Sequence, residues 1–387
     1  MRIKVKSWVF CLVLILGLAG CGREEAKDGG EADKPKATSE NSSILGEVTS
    51  ENGKKGNVVG ISMPSQSSEK WIHAAAIMNT CLSEAGYQVQ TEFAEDDAKQ
   101  QIRQLEEMVK QQVKCLIVAP VSSADLTEAL EKAKDKKIPV ISYDRLVMDT
   151  DAVDYYAGFD NLEAGRQIGN YILQEKGLKE AKSGNDAPSY TIEFFMGDPQ
   201  DYSAKMVHQG IMEVLKPYLD AGRLVCRSGR VKFEDTAILY ESQDTAQMNC
   251  EALLDANYLD GHLDIACTSS DSLAYGIREA LENRGYAKGK DWTLVTGQDA
   301  ELTAVENIEE GYQAMSVFRD PQILAQRCAE MAVDCIKGNK TDTNDQKQYK
   351  NGTKAVPSYL CGTKAVDKEN YREVLLDSGY YTKAQLP

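Results

Sequence analysis

Positive charge is scarce in this chain of 387 residues: 44 lysines and arginines face 60 aspartates and glutamates, for a formal charge of -16. Nucleic-acid binders gain affinity from cations that displace counterions condensed on phosphate, so an excess of acid excludes that class. Histidine is scarcer still. Only His73, His208 and His262 occur, each where a helix face or a turn is expected, so neither a histidine metal cluster nor a histidine-assisted nucleophile is in view. There is no GxSxG elbow, HExxH, Walker A loop or GxGxxG after a strand. Asp144, Asp271 and Asp299 offer carboxylates for glycoside cleavage, but nothing in the sequence fixes their separation. The chain reads as a non-enzyme without metal or cofactor. Long apolar runs are missing too, except near the N-terminus, which excludes a multispan membrane protein.

That one run is informative. Arg2, Lys4 and Lys6 precede a nearly unbroken apolar stretch from Trp8 to Leu18, and Leu18-Ala19-Gly20-Cys21 follows. A cationic start, a short apolar core and small residues before a cut describe a secretory signal over 1–20. With cysteine after the cut, the pattern resembles a bacterial lipobox, which makes Cys21 the lipidated N-terminus; the alternative is an ordinary signal with an incidental cysteine. Residues 21–56 are rich in Gly, Glu, Lys and Ser with few apolar side chains, as in a tether that cannot bury enough surface to order itself.

Eight further cysteines, at 81, 115, 226, 250, 267, 328, 335 and 361, include no CxxC pair. Most lie in apolar stretches such as Cys115-Leu116-Ile117-Val118, where a thiol acts as a small hydrophobe. No disulfide is assigned.

From Asn57 the pattern is strand, loop, helix, repeated. Apolar runs at Val58–Met63, Cys115–Ala119 and Pro139–Tyr143 are separated by segments of helical spacing at Trp71–Ala85, Asp97–Gln112 and Ala124–Lys136. Continuous apolar strands between helices predict parallel sheets covered on both faces. The alternation restarts after Asp160-Asn161, with strands ending near Met196, Thr268, Gly297 and Phe318. Two α/β halves imply two lobes with a cleft between them, and ligands bind outside the carboxyl ends of such strands.

Those ends carry the candidates. After the first strand, Pro64 to Trp71 is a polar loop leading to a helix, where Trp71 either offers a flat apolar face to a pyranose or belongs to the core. Asp144-Arg145 follows a strand; a carboxylate and a guanidinium side by side can clamp adjacent hydroxyls, or form a structural ion pair. Asp271 either faces a ligand or caps the next helix. Asp299 and Arg319 complete the set. Such a mixture of donors and acceptors suits a small neutral polyol.

At these loops the sequence resembles the type I periplasmic binding proteins, and within them the xylose-binding and multiple-monosaccharide-binding (ChvE-type) solute receptors of ABC importers. The likeness runs from about Asn57 to the C-terminus. It rests on Ser68-Glu69-Lys70-Trp71-Ile72, Ile141-Ser142-Tyr143-Asp144-Arg145-Leu146, Phe159-Asp160-Asn161, Thr296-Gly297-Gln298-Asp299-Ala300-Glu301, Asn351–Leu360 and Asp377-Ser378-Gly379-Tyr380-Tyr381. It implies two doubly wound parallel-sheet lobes joined by a three-crossover hinge: 57–161 plus about 320–340, and 162–319 plus about 350–387. It also implies a monosaccharide site drawn from Lys70, Trp71, Asp144, Arg145, Ser203, Asp271, Asp299 and Arg319. Tyr202-Ser203 replaces an Asn-Asn pair of the family. A second stacking tryptophan is missing between Arg230 and Ala246, with Phe233 or Tyr240 as substitutes. The function implied is an extracytoplasmic, lipid-anchored, monomeric receptor that delivers xylose, glucose, galactose or arabinose to an ABC permease and its ATPase subunit. The alternative is a sugar-sensing co-receptor for a chemoreceptor or sensor kinase. A repressor of the same two-lobed shape is excluded by the signal and by the lack of an N-terminal helix-turn-helix.

Overall fold

The computed structural model describes residues 56–66, 69–179, 188–289 and 291–387. The signal segment, Cys21 and all but the last residue of the tether lie outside the described residues. Among the described residues no helix is long and apolar enough to cross a membrane.

The first stretch runs β1 (Val58–Met63), α1 (Glu69–Glu84), β2 (Gln88–Phe93), α2 (Ala98–Gln111), β3 (Cys115–Val118), α3 (Thr127–Asp135), β4 (Val140–Tyr143) and β5 (Tyr155–Phe159). The chain then crosses to a second lobe and forms α4 (Asn161–Glu175), β6 (Tyr190–Phe195), α5 (Tyr202–Asp220), β7 (Leu224–Val225) and the short α6 (Phe233–Thr236). There follow α7 (Gln243–Asn257), β8 (Ile265–Thr268), α8 (Asp271–Asn283), β9 (Leu294–Val295), α9 (Leu302–Glu310) and β10 (Met315–Phe318). It returns to the first lobe as α10 (Pro321–Lys337) and β11 (Ser358–Cys361), and closes in the second with β12 (Lys364–Asp367) and α11 (Tyr371–Asp377).

The first sheet has the order β11-β5-β4-β3-β1-β2 and is parallel throughout. Its central strands β3 and β4 are buried at every residue, which is why they read as unbroken apolar runs rather than alternating ones. The second sheet, β7-β6-β8-β9, is also parallel. A bridge between Gln298 and Val317 extends it to β10, on which β12 lies antiparallel. That last pairing departs from the expected all-parallel lobe. β12 enters straight from the hinge with no helix to turn the chain round, so it runs away from the cleft while its neighbour runs towards it.

The lobe boundary also differs from the expectation that 350–387 belong to the second lobe. Ser358–Cys361 pairs with Tyr156–Phe159 at the edge of the first sheet, and Tyr349 and Val356 are buried in the first lobe's core. The crossing comes only after Cys361. Three such crossings, at 159–161, 318–321 and 361–364, form the hinge. The first and third are tied together by the Asp160 amide, which donates to Cys361 O (3.1 Å), and the first is held by the Tyr349 hydroxyl, which donates to Phe159 O (2.9 Å) and accepts from the Asn161 amide (3.0 Å).

Two helices of the second lobe touch backbone to backbone. A side chain at Gly165 would begin 2.0 Å from Val207 O, and one at Gly210 2.1 Å from Leu162 O. Nothing larger than glycine allows α4 and α5 to come so close. The contact fixes their N-terminal ends, where Leu162 and Met206 bury themselves among Leu146, Val147 and Tyr156 of the first lobe. The strand ends of the two lobes are thereby held facing each other.

Candidate functional site

On the first lobe the turn after β4 is built around Ser142. Its hydroxyl donates to Arg145 O (2.6 Å) and accepts from the Val147 amide (2.9 Å). The Asp144 amide donates to Ala157 O (2.8 Å), which carries the sheet pairing one residue past the strand. Asp144 thereby adopts a left-handed backbone (φ 59), unusual without glycine and typical of sites whose surroundings over-determine them. Its carboxylate is buried. Oδ2 accepts from Lys70 Nζ at 2.8 Å, whereas buried Oδ1 makes no hydrogen bond with any described residue. Burial alone would push this carboxyl up, but Lys70, Arg319 and Arg145 outweigh it and hold the group below the usual carboxylate range.

Of the two readings of Trp71, sugar platform and core residue, the structure favours the core. The residue is 5% exposed and belongs to the first lobe's core. Two cations share its ring, Lys70 Nζ at 4.6 Å and the Arg145 guanidinium carbon at 5.5 Å from the centroid. The indole thus supports the clamp from beneath through cation–π attraction.

The hinge contributes the second charged group. Asp320 caps α10 by accepting from the Gln322 (2.9 Å) and Ile323 (3.3 Å) amides, which aims Arg319 back towards the cleft. Arg319 Nε and Nη2 both donate to Asp299 Oδ1, at 2.8 and 2.7 Å. Nη1 donates to Asn161 Oδ1 at 3.3 Å. The carboxylates of Asp299, Asp144 and Glu241 raise the guanidinium pKa against the opposing effect of burial. Asn161 is buried, and its Nδ2 has no partner among the described residues. Asp299 and Ala300 are again left-handed, with φ of 102 and 53.

On the second lobe the sequence-expected residues divide. Ser203 sits in the first turn of α5, capped by Asp201, and its hydroxyl reaches across the cleft to donate to Asp144 O at 3.3 Å. Arg145 Nε lies 3.6 Å from Asp201 Oδ2, so two polar contacts here add to the apolar packing between the lobes. Tyr202 packs against the first lobe's core. Asp271 differs from the expectation of a ligand contact. Its Oδ1 accepts from Gln313 Nε2 and Ser316 Oγ, both at 2.8 Å, and its Oδ2 from the Glu301 amide at 2.9 Å and Ser316 Oγ at 3.1 Å. Those bonds leave little acceptor capacity for a ligand. Burial, with Glu301 and Asp299 nearby, pushes this carboxyl well up. Phe233, a candidate stacker, is buried against His208 in the second lobe's core.

The structure therefore gathers Lys70, Asp144, Arg145, Asp299 and Arg319 around one cleft, with Trp71 beneath and Ser203 at the lobe contact. Asp201, Asn161 and Glu241 join them without having been singled out. Asp201 carried a visible cap signal before Ser203, and Asn161 lies in Phe159-Asp160-Asn161, but Glu241 stands in an irregular segment with no motif. Concavity alone does not mark the place. Two hollows of about 390 and 410 Å³ lie elsewhere, the first beside Cys81 and Arg327 and the second beside Lys134 and Asp154. Among the described residues no group of three or more His, Cys, Asp or Glu is placed to hold a metal ion. All eight described cysteines are free thiols.

Comparison with known proteins agrees with this architecture. Residues 59–340 match the periplasmic binding protein domain. Over 328 residues the chain is 40% identical to the multiple sugar-binding periplasmic protein SbpA of Azospirillum brasilense, covering 84% of this chain and 90% of that one. Over 329 residues it is 39% identical to the multiple sugar-binding periplasmic receptor ChvE of Rhizobium radiobacter, covering 85% and 92%. It also resembles the crystal structure of an ABC transporter solute binding protein from Clostridium phytofermentans with bound β-D-glucose. The TM-score is 0.79 at 40% identity, over 85% of this chain and 100% of that one.

Proposed function

The chain belongs to the periplasmic binding protein family, a family of binding proteins rather than enzymes, and from that premise we propose that it captures a monosaccharide between its lobes. The sugar is of the xylose, glucose, galactose or arabinose type, and the receptor delivers it to an ABC import permease and its ATPase subunit. Relatives named for multiple sugars and a similar structure holding β-D-glucose support the ligand class.

One observation carries the reading. Asp144 keeps a buried carboxylate oxygen unbonded at the end of a central strand, charged through Lys70, Arg145 and Arg319. A carboxylate held ionised out of water, with a free acceptor facing a cleft, is suited to a hydroxyl. Hydrogen bonds to charged groups contribute about 1.5–3 kcal/mol each, and the guanidinium of Arg145 beside it donates to the neighbouring sugar oxygen. Arg319 reaches the ligand from the hinge and Asp299 from the second lobe beside it, and Asn161 Nδ2 adds a donor. Trp71 fixes the cations from the core beside them.

Delivery follows from closure. A sugar favours the closed lobes only by binding them more tightly than the open ones, so Arg145–Asp201 and Ser203–Asp144 act as latches that a permease reads. Cys21, lipidated, would hold the receptor at the outer face of the membrane as a monomer, since closure needs no second chain.

Isothermal titration of the purified protein against xylose, glucose, galactose, arabinose, ribose and fucose tests the proposal. Saturable binding at micromolar or lower concentration to at least one of the first four is expected. Folded protein that gives no heat with any of them would overturn the ligand class.

A further inference from the structure

Between β7 and α7, where the family resemblance calls for a second aromatic platform, the cleft receives a carboxylate instead. Phe233 is in the core, and Tyr240 is 71% exposed. Glu241 turns inward: its Oε1 lies 2.4 Å from where a side chain on Gly197 would begin. Gly197 follows the carboxyl end of β6, so the bare backbone there makes room for this carboxylate at the strand ends.

The chain is bent to place it. Tyr240 and Glu241 are consecutive left-handed residues, with φ of 57 and 50, a costly conformation for two side chains other than glycine. Buried Asp198 pins the bend by accepting from the Tyr240 amide at 2.7 Å. The Glu241 amide donates to Ile238 O at 3.0 Å, and the Ile238 amide to Met196 O at 2.9 Å. Glu241 feels the charges of Asp299, Asp201, Arg145 and Arg319. Yet each arginine is paired elsewhere, Arg145 with Asp201 and Arg319 with Asp299. Among the described residues Glu241 is left without an ion pair or side-chain hydrogen bond, within reach of the charges of both lobes.

We propose that Glu241 is a ligand-contacting, specificity-determining residue of the second lobe, accepting hydroxyl hydrogens from the bound ring where an aromatic would have covered an apolar C–H face. The inference rests on the sugar-receptor reading above and narrows it: the ligand presents at least one hydroxyl to the second lobe, and sugars lacking that hydroxyl are rejected. Burial, with Asp299 and Asp201 beside it, pushes the Glu241 carboxyl up to about 7 despite Arg145 and Arg319. Hydroxyls donate more strongly to the ionised form than to the neutral acid, so proton uptake weakens the hold on the sugar.

The test is calorimetry on the full chain with the tightest sugar of the six and its monodeoxy analogues. The wild type is expected to lose about 10- to 100-fold with one analogue. Glu241→Gln, whose amide oxygen accepts more weakly than a carboxylate, is expected to lose part of that factor with the parent sugar, and Glu241→Ala all of it and nothing further with that analogue, because the contact is already gone. Wild-type affinity should weaken by up to about tenfold from pH 8 to pH 6, as the ionised fraction falls, and Glu241→Gln should flatten that profile. Glu241→Ala, with its melting temperature measured, guards against misreading a folding defect. Unchanged affinity in folded Glu241→Gln and Glu241→Ala, or a deoxy penalty that survives undiminished in both, overturns the assignment while leaving the receptor reading intact. A wild type that binds none of the sugars overturns both.

Discussion

Asp144 and Asp271 are equivalent in position, each an aspartate just past the carboxyl end of a central parallel strand, one per lobe, each at most 5% exposed. Their chemistry is opposite. Asp144 commits one oxygen to Lys70, leaves the other unbonded, and is held ionised by three cations. Asp271 gives both oxygens to its own lobe and has no cation to offset burial, so its carboxyl is pushed up. A strand end locates a site, but acceptors not already used by the protein decide which residues serve it. In the first lobe the acid keeps an acceptor free; in the second the corresponding acid holds Gln313, Ser316 and the Glu301 amide in place, and Glu241 is the carboxylate proposed for the ligand instead.

The largest effect should come from breaking the first lobe's half of this contrast. Asp144→Ala and Arg145→Ala should each weaken sugar binding by about 10²- to 10⁴-fold, two charged hydrogen bonds being lost in either case, with an unchanged circular dichroism spectrum. Asp271→Ala should do the reverse. Leaving its buried donors unsatisfied costs about 1–3 kcal/mol of stability, visible as a lower denaturation midpoint, while the affinity of the remaining folded protein moves far less than in the Asp144 variant. Equal losses of affinity in the two would erase the distinction.

Titration sharpens it further. The folded pKa of Glu241 lies above its unfolded value, so its contribution to stability is present below pH 4.5 and is lost as the pH rises to about 7. Asp271 acts in the same direction. The folded pKa of Asp144 is depressed, so its contribution is lost only as the pH falls below about 3.8. The melting temperature of the sugar-free protein should therefore decline from pH 5 to pH 7.5, and Glu241→Gln should reduce the decline. The smallest effect is a control: Lys132, paired with Glu106 and Glu128 on the surface of the first lobe, should be replaceable by alanine without change in either midpoint or affinity, because exposed pairs are screened by solvent.

Much of the architecture is legible in the sequence because its signals are local. Runs such as Cys115–Val118 and Val140–Tyr143, bounded by turns and followed by amphipathic segments, place β3, β4 and the helices between them to within a few residues. Ser358–Cys361 is not legible in the same way. It is a short edge strand next to proline, and only its pairing with β5, about 200 residues earlier in the chain, assigns it to the first lobe. The site divides likewise. Lys70, Asp144, Arg145, Asp299 and Arg319 announce themselves by following strands. That Trp71 is covered by two cations, and that Asp271 has already used its acceptors, depends on contacts far apart in sequence. Glu241 depends on a left-handed bend and on the bareness of Gly197, neither of which leaves a pattern of residue types.

Asp144 Oδ1, and not Asp271, is the acceptor we propose for the sugar. The measurement that tests it most directly is a crystal structure of the protein with the tightest of the six sugars. A ring hydroxyl should lie within about 2.6–2.9 Å of Asp144 Oδ1, with Arg145 on the adjacent oxygen and Asp271 still bonded to Gln313 and Ser316. A sugar seated away from Asp144, or one drawn to an Asp271 released from those partners, would contradict it.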